Sequence, residues 1–427
     1  MTVLIAPLKN RSLLHLEVNL ESYIAEWFNL LFRWLHLITG AAWIGTSFYF
    51  NWLNHNLRPP ERVSREEEGI SGELFAVHGG HFYQVSKYAG APKQLPKTLH
   101  WFKWEAYFTW ITGICLLCIV YYLSAGSVLL DRTSKYITEP SHAIMLSMIC
   151  LVGGWFIYDL LCKSPLGKRP IPFALIGFGL LTLTAYALTQ VFQDRAAYIH
   201  VGAMIGTIMA ANVFFVIIPN QRKMVDAMLR GDQPDTSLGD HGAQRSLHNN
   251  YFTLPVLFIM VSNHFPSTTW SHSWNWAILA ALTLIGAGAR HYFNLKHQGQ
   301  HKEWILPVAA LAMVTLAFVS RPQAPIVNHG ETKPTYSSIA PIIEQHCVSC
   351  HAAKPNNPLW PMPSPPKGID LSKPEYVQTH ASQILTQAVH SKAMPFAGNQ
   401  TGMTEEERAR LGVWIEAGAL LDGAENE

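Results

Sequence analysis

Long unbroken apolar stretches, rather than alternating ones, dominate the first three quarters of the chain. A helix needs about 20 mostly apolar residues to cross the hydrocarbon of a bilayer. Eight stretches meet or approach that length: about 27–53, 105–123, 142–162, 172–192, 198–218, 247–264, 274–292 and 304–320. The sixth and seventh are the least clean. After the eighth, "RPQAPIVNHGETKPTY" is polar and reads as a linker. The pattern then changes to that of a small soluble helical unit. "YSSIAPIIEQH" has apolar helical spacing, "PLWPMPSPPKG" is a Pro-rich loop, and "GMTEEERARLGVWIEAGA" reads as a closing amphipathic helix opened by a Thr404/Glu407 capping box. The predicted fold class is all-α: an eight-helix transmembrane bundle over residues 1–320, a linker over 321–335 and a small helical domain over 336–427. There is no internal repeat.

Composition agrees with the pattern. The chain has 427 residues, 49% hydrophobic and 14% charged, with 14 Trp, as a polytopic membrane protein does. A net charge of +2 offers no electrostatic footprint for nucleic acid. Residues 1–26 carry Lys9, Arg11, Glu17, Glu21 and Glu26 and lack a clean apolar core, so no secretory signal peptide is read there. Lys and Arg concentrate in alternate loops, after the first, third, fifth and seventh stretches. By the positive-inside rule those loops face the cytoplasm. Both termini then lie outside, in the bacterial case on the periplasmic face of the inner membrane.

"CVSCH" at 347–351 is the attachment signature of a c-type haem, in which two thiols bind the haem vinyls and the adjacent His supplies an axial nitrogen. Cys347, Cys350 and His351 are those residues. The tail is therefore expected to be a class I cytochrome c domain, and its outward placement suits haem attachment. Met362 and Met394 both precede Pro, and His390 is a further sixth-ligand candidate. Met394 is preferred, because a helical stretch between it and His351 lets the chain cross to the other haem face. A His/Met pair raises the potential, as suits an electron acceptor. The remaining four cysteines lie in apolar runs and read as packing residues, "CLLC" at 115–118 included.

The stretches also carry histidines, which are costly in hydrocarbon unless they face the bundle interior. His36, His142, His200 and His264 fall toward the outer side, and His248 and His291 toward the inner. Two readings compete with plain packing: a bis-His haem b on His36 and His200, with His142 as alternate, or substrate binding. The loop "FAVHGGHFYQVSKY" reads as a substrate cradle, with Gly79 and Gly80 permitting close backbone approach.

On "RWLHLITGAAWIGTSFYFNWL", "VHGGHFYQVSKY", "LHWFKWEAYFTWITG", "HNNYFTLPVLFIMVSNHFP" and the "CVSCH … AMPFAG" tail, the chain resembles the bacterial membrane-bound urate hydroxylases (urate oxidases) with a fused C-terminal cytochrome c. His81 stands where that family's pattern would have a third Gly. The resemblance implies an oxidoreductase that hydroxylates urate to 5-hydroxyisourate and sends the electrons to its own haem c, not to O2. A soluble periplasmic acceptor or terminal oxidase would then empty the haem. Urate is an anion with a ring of donors and acceptors. The residues suited to it are His78, His81, Gln84, Asn249, Asn250 and Arg290, with Glu73 or His78 taking a proton. A membrane electron-transfer subunit, fed by quinol or a partner protein, would share the haem but need no polar inner site. A transporter with a redox-sensing tail is the third reading.

Overall fold

The computed structural model describes residues 9–61, 63–90, 92, 95–321, 334–358, 360 and 364–422. Met362 lies outside them. Each of the eight apolar stretches falls on a helix. The first sits within α1 (Lys9–Asn56), the second in α3 (Trp104–Leu117) and the π-helical turn Cys118–Tyr122 that continues it. Between these come the short α2 (Val63–Glu67) and two strands described below. A one-turn α4 (Ala125–Val128) precedes α5 (Pro140–Lys163) and α6 (Pro170–Thr189), both opened by a proline whose missing N–H costs nothing in the first turn. Next come α7 (Asp194–Ala211), a π turn (Asn212–Ile217) and α8 (Ile218–Leu229), which run on as one rod. The Asp235 side chain, which accepts from the Ser237 N–H, opens α9 (Thr236–Ser262), followed by α10 (Asn275–His297) and α11 (Ile305–Val319).

Among the described residues four helices are long and apolar enough to cross a membrane: Trp104–Tyr122, Pro140–Lys163, Pro170–Thr189 and Asp194–Leu229. The first three bury only 22%, 22% and 17% of their most apolar windows, so most of their greasy surface faces outward. A monomer in water does not leave such patches open. Lipid is the solvent that removes the cost, and the chain is compatible with membrane association on this ground. The Asp194–Leu229 rod is 61% buried and is the central post, touching α3, α5, α6 and α9.

The fold departs from all-α at one place. Residues Ile70–His78 (β1) and His81–Tyr88 (β2) pair antiparallel, His78 opposite His81. Gly79 and Gly80 have φ of +57° and +80°, the two left-handed positions of a type I′ hairpin turn. The glycines therefore close a turn, and the stretch read as an irregular cradle is a ribbon with an exposed tip. Its base is tied to the end of α1: Arg58 and Glu73 exchange backbone hydrogen bonds, and Lys87 Nζ donates to Asn54 Oδ1 at 2.6 Å.

The tail has its own apolar core. It comprises α12 (Tyr336–Ile343), α13 (Pro374–Thr379), α14 (Ala381–Ile384), α15 (Phe396–Asn399) and α16 (Glu405–Glu416). Ile339, Ile343, Val377, Leu411 and Trp414 are buried together. The Thr404/Glu407 capping box forms, with both reciprocal bonds present.

Candidate functional site

Toward the C-terminal ends of α1 and α10, against the middle of α9, the bundle buries a cluster of polar side chains. Arg290 Nε donates to Asn250 Oδ1 at 2.8 Å, and its guanidinium lies 4.1 Å over the Phe48 ring. Asn51 Nδ2 donates to Asn294 Oδ1 at 2.9 Å. Arg290, Asn250 and Asn294 are 6%, 2% and 2% exposed. Among the described residues no carboxylate pairs with Arg290. The amide nitrogens of Asn250 and Asn294 and the Thr283 hydroxyl are buried without partners among the described residues. A buried cation with no counter-charge, beside free amide donors, is an arrangement that an anionic ring with acceptors would satisfy.

One helical step away the polar groups are closed on themselves. Arg245 Nη2 meets Asp159 Oδ1 at 2.8 Å, Asp159 Oδ2 also takes Lys163 Nζ at 2.6 Å, and Arg245 lies 5.0 Å over the Tyr158 ring. Asn212, at the start of a π turn, donates to Asn249 Oδ1 and to the Tyr158 hydroxyl. The Tyr158 hydroxyl is 2.8 Å from His248 Nδ1, and Phe173 stacks on that imidazole at 4.7 Å. This cluster binds α5, α7 and α9 together, and its buried arginine has a carboxylate partner. Asn249 therefore belongs to a structural network, and is separated in role from its neighbour Asn250.

The hairpin residues are placed otherwise. Glu73 forms an ion pair with Arg65 Nε at 3.0 Å and accepts from Gln84 Nε2 at 3.0 Å, so both side chains are engaged with the ribbon itself. His78 and His81 sit at its exposed tip, six residues beyond Gly72, or about 20 Å at strand rise. The base of the ribbon lies nearer, since Asn54 is one helical turn from Asn51.

The two outer histidines do not share a gap. His36 Nδ1 is bonded to Thr109 O and Thr112 Oγ1, with its ring against Gly113. His200 is fully buried, bonded through Nδ1 to Ala196 O, and ringed by Tyr121, Tyr122 and Phe192. Gly113 and Tyr121 are eight residues apart in one continuous helix, about 12 Å by helical rise. The space beside Gly202 is filled by Ile259 and that beside Gly40 is bordered by Thr109. These residues do not fit a haem held between His36 and His200. His142, the alternate, is exposed at the start of α5.

In the tail, the residues of the pentapeptide fit a covalent haem. Cys347 and Cys350 are free thiols one turn apart, and His351 N–H donates to Cys347 O at 2.8 Å. His351 Nδ1 is 3.0 Å from Ile369 O, which fixes the ring and leaves Nε2 for a metal. Burial lowers the His351 pKa, favouring the neutral imidazole that ligates metals, and pushes the Cys347 thiol up to about 12. Met394 packs on the tail core, its N–H on Gln387 O and its carbonyl held by Arg408 Nη1 at 2.7 Å. His390 is half-buried in the preceding turn.

Residues 22–321 match the model of the urate oxidase N-terminal family. The chain belongs to that family. No curated protein and no solved structure matches it. Membership makes this a urate oxidase-related protein, with oxidoreductase chemistry on urate as the activity its family indicates. The match covers α1 through α11 and so contains the Arg290 cluster whole; the CVSCH tail lies beyond it. Of the residues the sequence suggests for urate, Asn250 and Arg290 lie together in this cluster, while Asn249 lies in the neighbouring network and His78, His81 and Gln84 on the hairpin. Sequence reasoning misses Phe48, Asn51, Thr283 and Asn294, and the whole Tyr158–Asp159–Arg245 network. The signal for the latter was an Asp inside "WFIYDLLC", a charge that hydrocarbon does not tolerate unpaired.

Proposed function

We propose that the chain is a membrane-bound urate hydroxylase of eight spans that holds urate at Arg290, Asn250 and Asn294. It passes the electrons to a haem c on Cys347 and Cys350, with His351 and Met394 as axial ligands. The observation that carries this reading is the buried, unpaired Arg290 beside free amide groups, in a chain of the urate oxidase family. Arg290 meets the anion's charge. The Asn250 and Asn294 amides donate to its ring acceptors. Phe48, already under the guanidinium, holds the Arg in place and gives the planar ring an apolar wall. Conversion of urate to 5-hydroxyisourate takes oxygen from water and releases two electrons and two protons. The bound haem supplies the one-electron acceptor, and His351 and Met394 set its potential high. An acceptor outside the membrane empties it between the two steps. By the positive-inside rule the Arg290 end faces the cytoplasm and the tail the periplasm.

The test is urate binding by the full-length protein in detergent. The wild type binds, and Arg290→Gln weakens binding by about 10- to 100-fold, the worth of a buried charge-assisted hydrogen bond. An Arg290→Gln protein that binds urate as the wild type does removes Arg290 from the site. A wild type that binds none favours the alternative, a membrane electron-transfer subunit without urate chemistry.

A further inference from the structure

Among the described residues, three stretches of the tail that touch the bundle bracket Met394. The turn 385–390 meets Pro266–Thr268, Ala393 packs into the bundle cluster that contains Tyr121 and Phe192, and α15 lies against α4. On the other side of the pentapeptide, His351 is bonded to Ile369 and Leu371, within the tail itself. The Met394 side of the tail therefore faces the bundle. Beneath it lies the aromatic group already described: Tyr121, Tyr122 and Phe192 within 4.9 to 6.3 Å of the His200 ring, centroid to centroid. His200 Nε2 is buried there with no partner. The distance from the Arg290 cluster is short. Gly202, two residues after His200, packs on Ile259 of α9, and Asn250 is nine residues earlier on the same helix. That is about 14 Å by helical rise.

Resting on the urate reading above, we propose that the tail works docked. It takes each electron through its Met394 side from the aromatic end of the bundle at Tyr121, Tyr122, Phe192 and His200. One electron moves per step from the substrate, which is oxidised, to the ferric haem, which becomes ferrous; an external acceptor then reoxidises it from a face of the tail turned away from the bundle. The path needs no second haem in the membrane, because Tyr121 and Phe192 lie in one packed cluster with Ile259 of α9, against which Ala393 of the tail packs.

The test uses the full-length, haem-loaded protein with pairs of introduced cysteines, one at a position in Ala125–Val128 and one in Phe396–Asn399, each compared with its single-cysteine control. Mild oxidation should cross-link at least one pair in the resting protein. Urate should then reduce the haem in the tethered protein at a rate within about twofold of the control, with an unchanged midpoint potential, as a geometry already productive requires. Failure of every pair to cross-link overturns the docked pose. Tethered protein that reduces its haem about tenfold slower or worse overturns the claim that the docked pose is the competent one. Cross-linking is read without urate, so it stands apart from the substrate assignment. An untethered control whose haem urate never reduces sinks that assignment instead.

Discussion

At the scale of single residues, the account turns on two arginines in similar surroundings with opposite roles. Arg245 is paired with Asp159 and is structural; Arg290 has no carboxylate partner among the described residues, and on the proposed reading its counter-charge is the substrate. Asp159→Asn should therefore destabilise the protein by about 3–5 kcal/mol, because it leaves a buried guanidinium uncompensated, and a thermal melt in detergent measures it. The same melt on Arg290→Gln should show little loss, because no partner is orphaned except Asn250. Cys350→Ala should abolish covalent haem, read as loss of haem stain on a denaturing gel, while the membrane part still inserts. Met394→Ala should keep the covalent haem and lower its potential. If His390→Ala lowers it instead, the sixth ligand is misassigned. The proposed haem residues are suggested by the sequence alone because their chemistry is fixed by adjacency: two thiols and an imidazole in five positions admit few other uses. The sequence showed Asn250 and Arg290 as suitable groups but could not separate Asn249 from Asn250. Adjacent residues on a helix point 100° apart, and which helix each one meets is a matter of packing.

At the scale of elements, the apolar runs were legible as helices because their length and composition favour that form, and among the described residues four of the eight are long and apolar enough to cross a membrane. The hairpin was not read, although its signs were present: two glycines between runs rich in Phe, Tyr and Val. The polar residues His78, His81 and Gln84 drew attention as chemistry and hid the period-two pattern around them. The turn makes its own prediction. Gly79→Val, at φ +57°, should strain the hairpin tip by roughly 1 kcal/mol or more and raise its amide exchange, with urate affinity unchanged. In the tail, the Thr404 N–H and hydroxyl hold the Glu407 carboxyl below its ordinary value. A depressed carboxyl contributes stability that is present above its unfolded value of 4.5 and fades as pH falls through the folded one. Thr404→Ala should accordingly cost the tail about 1 kcal/mol at neutral pH and less in acid, followed by denaturant melts of the haem absorbance at both.

At the scale of the whole molecule, the charge asymmetry of the loops and the haem motif point the same way: the proposed orientation puts the tail outside and the Arg290 end inside. A reporter enzyme active only in the periplasm should work when fused after Arg321 and fail when fused at Gly90. Activity at Gly90 would reverse the orientation. The central claim is that electrons from urate end on the tail's own haem. The most direct measurement is to add urate, without oxygen, to the purified, oxidised, haem-loaded protein and follow the haem c absorbance. The account predicts that the haem is reduced at a rate that saturates with urate, and that Arg290→Gln moves the half-saturating concentration upward. A haem that stays oxidised under urate, yet is reduced by a chemical donor, would contradict it.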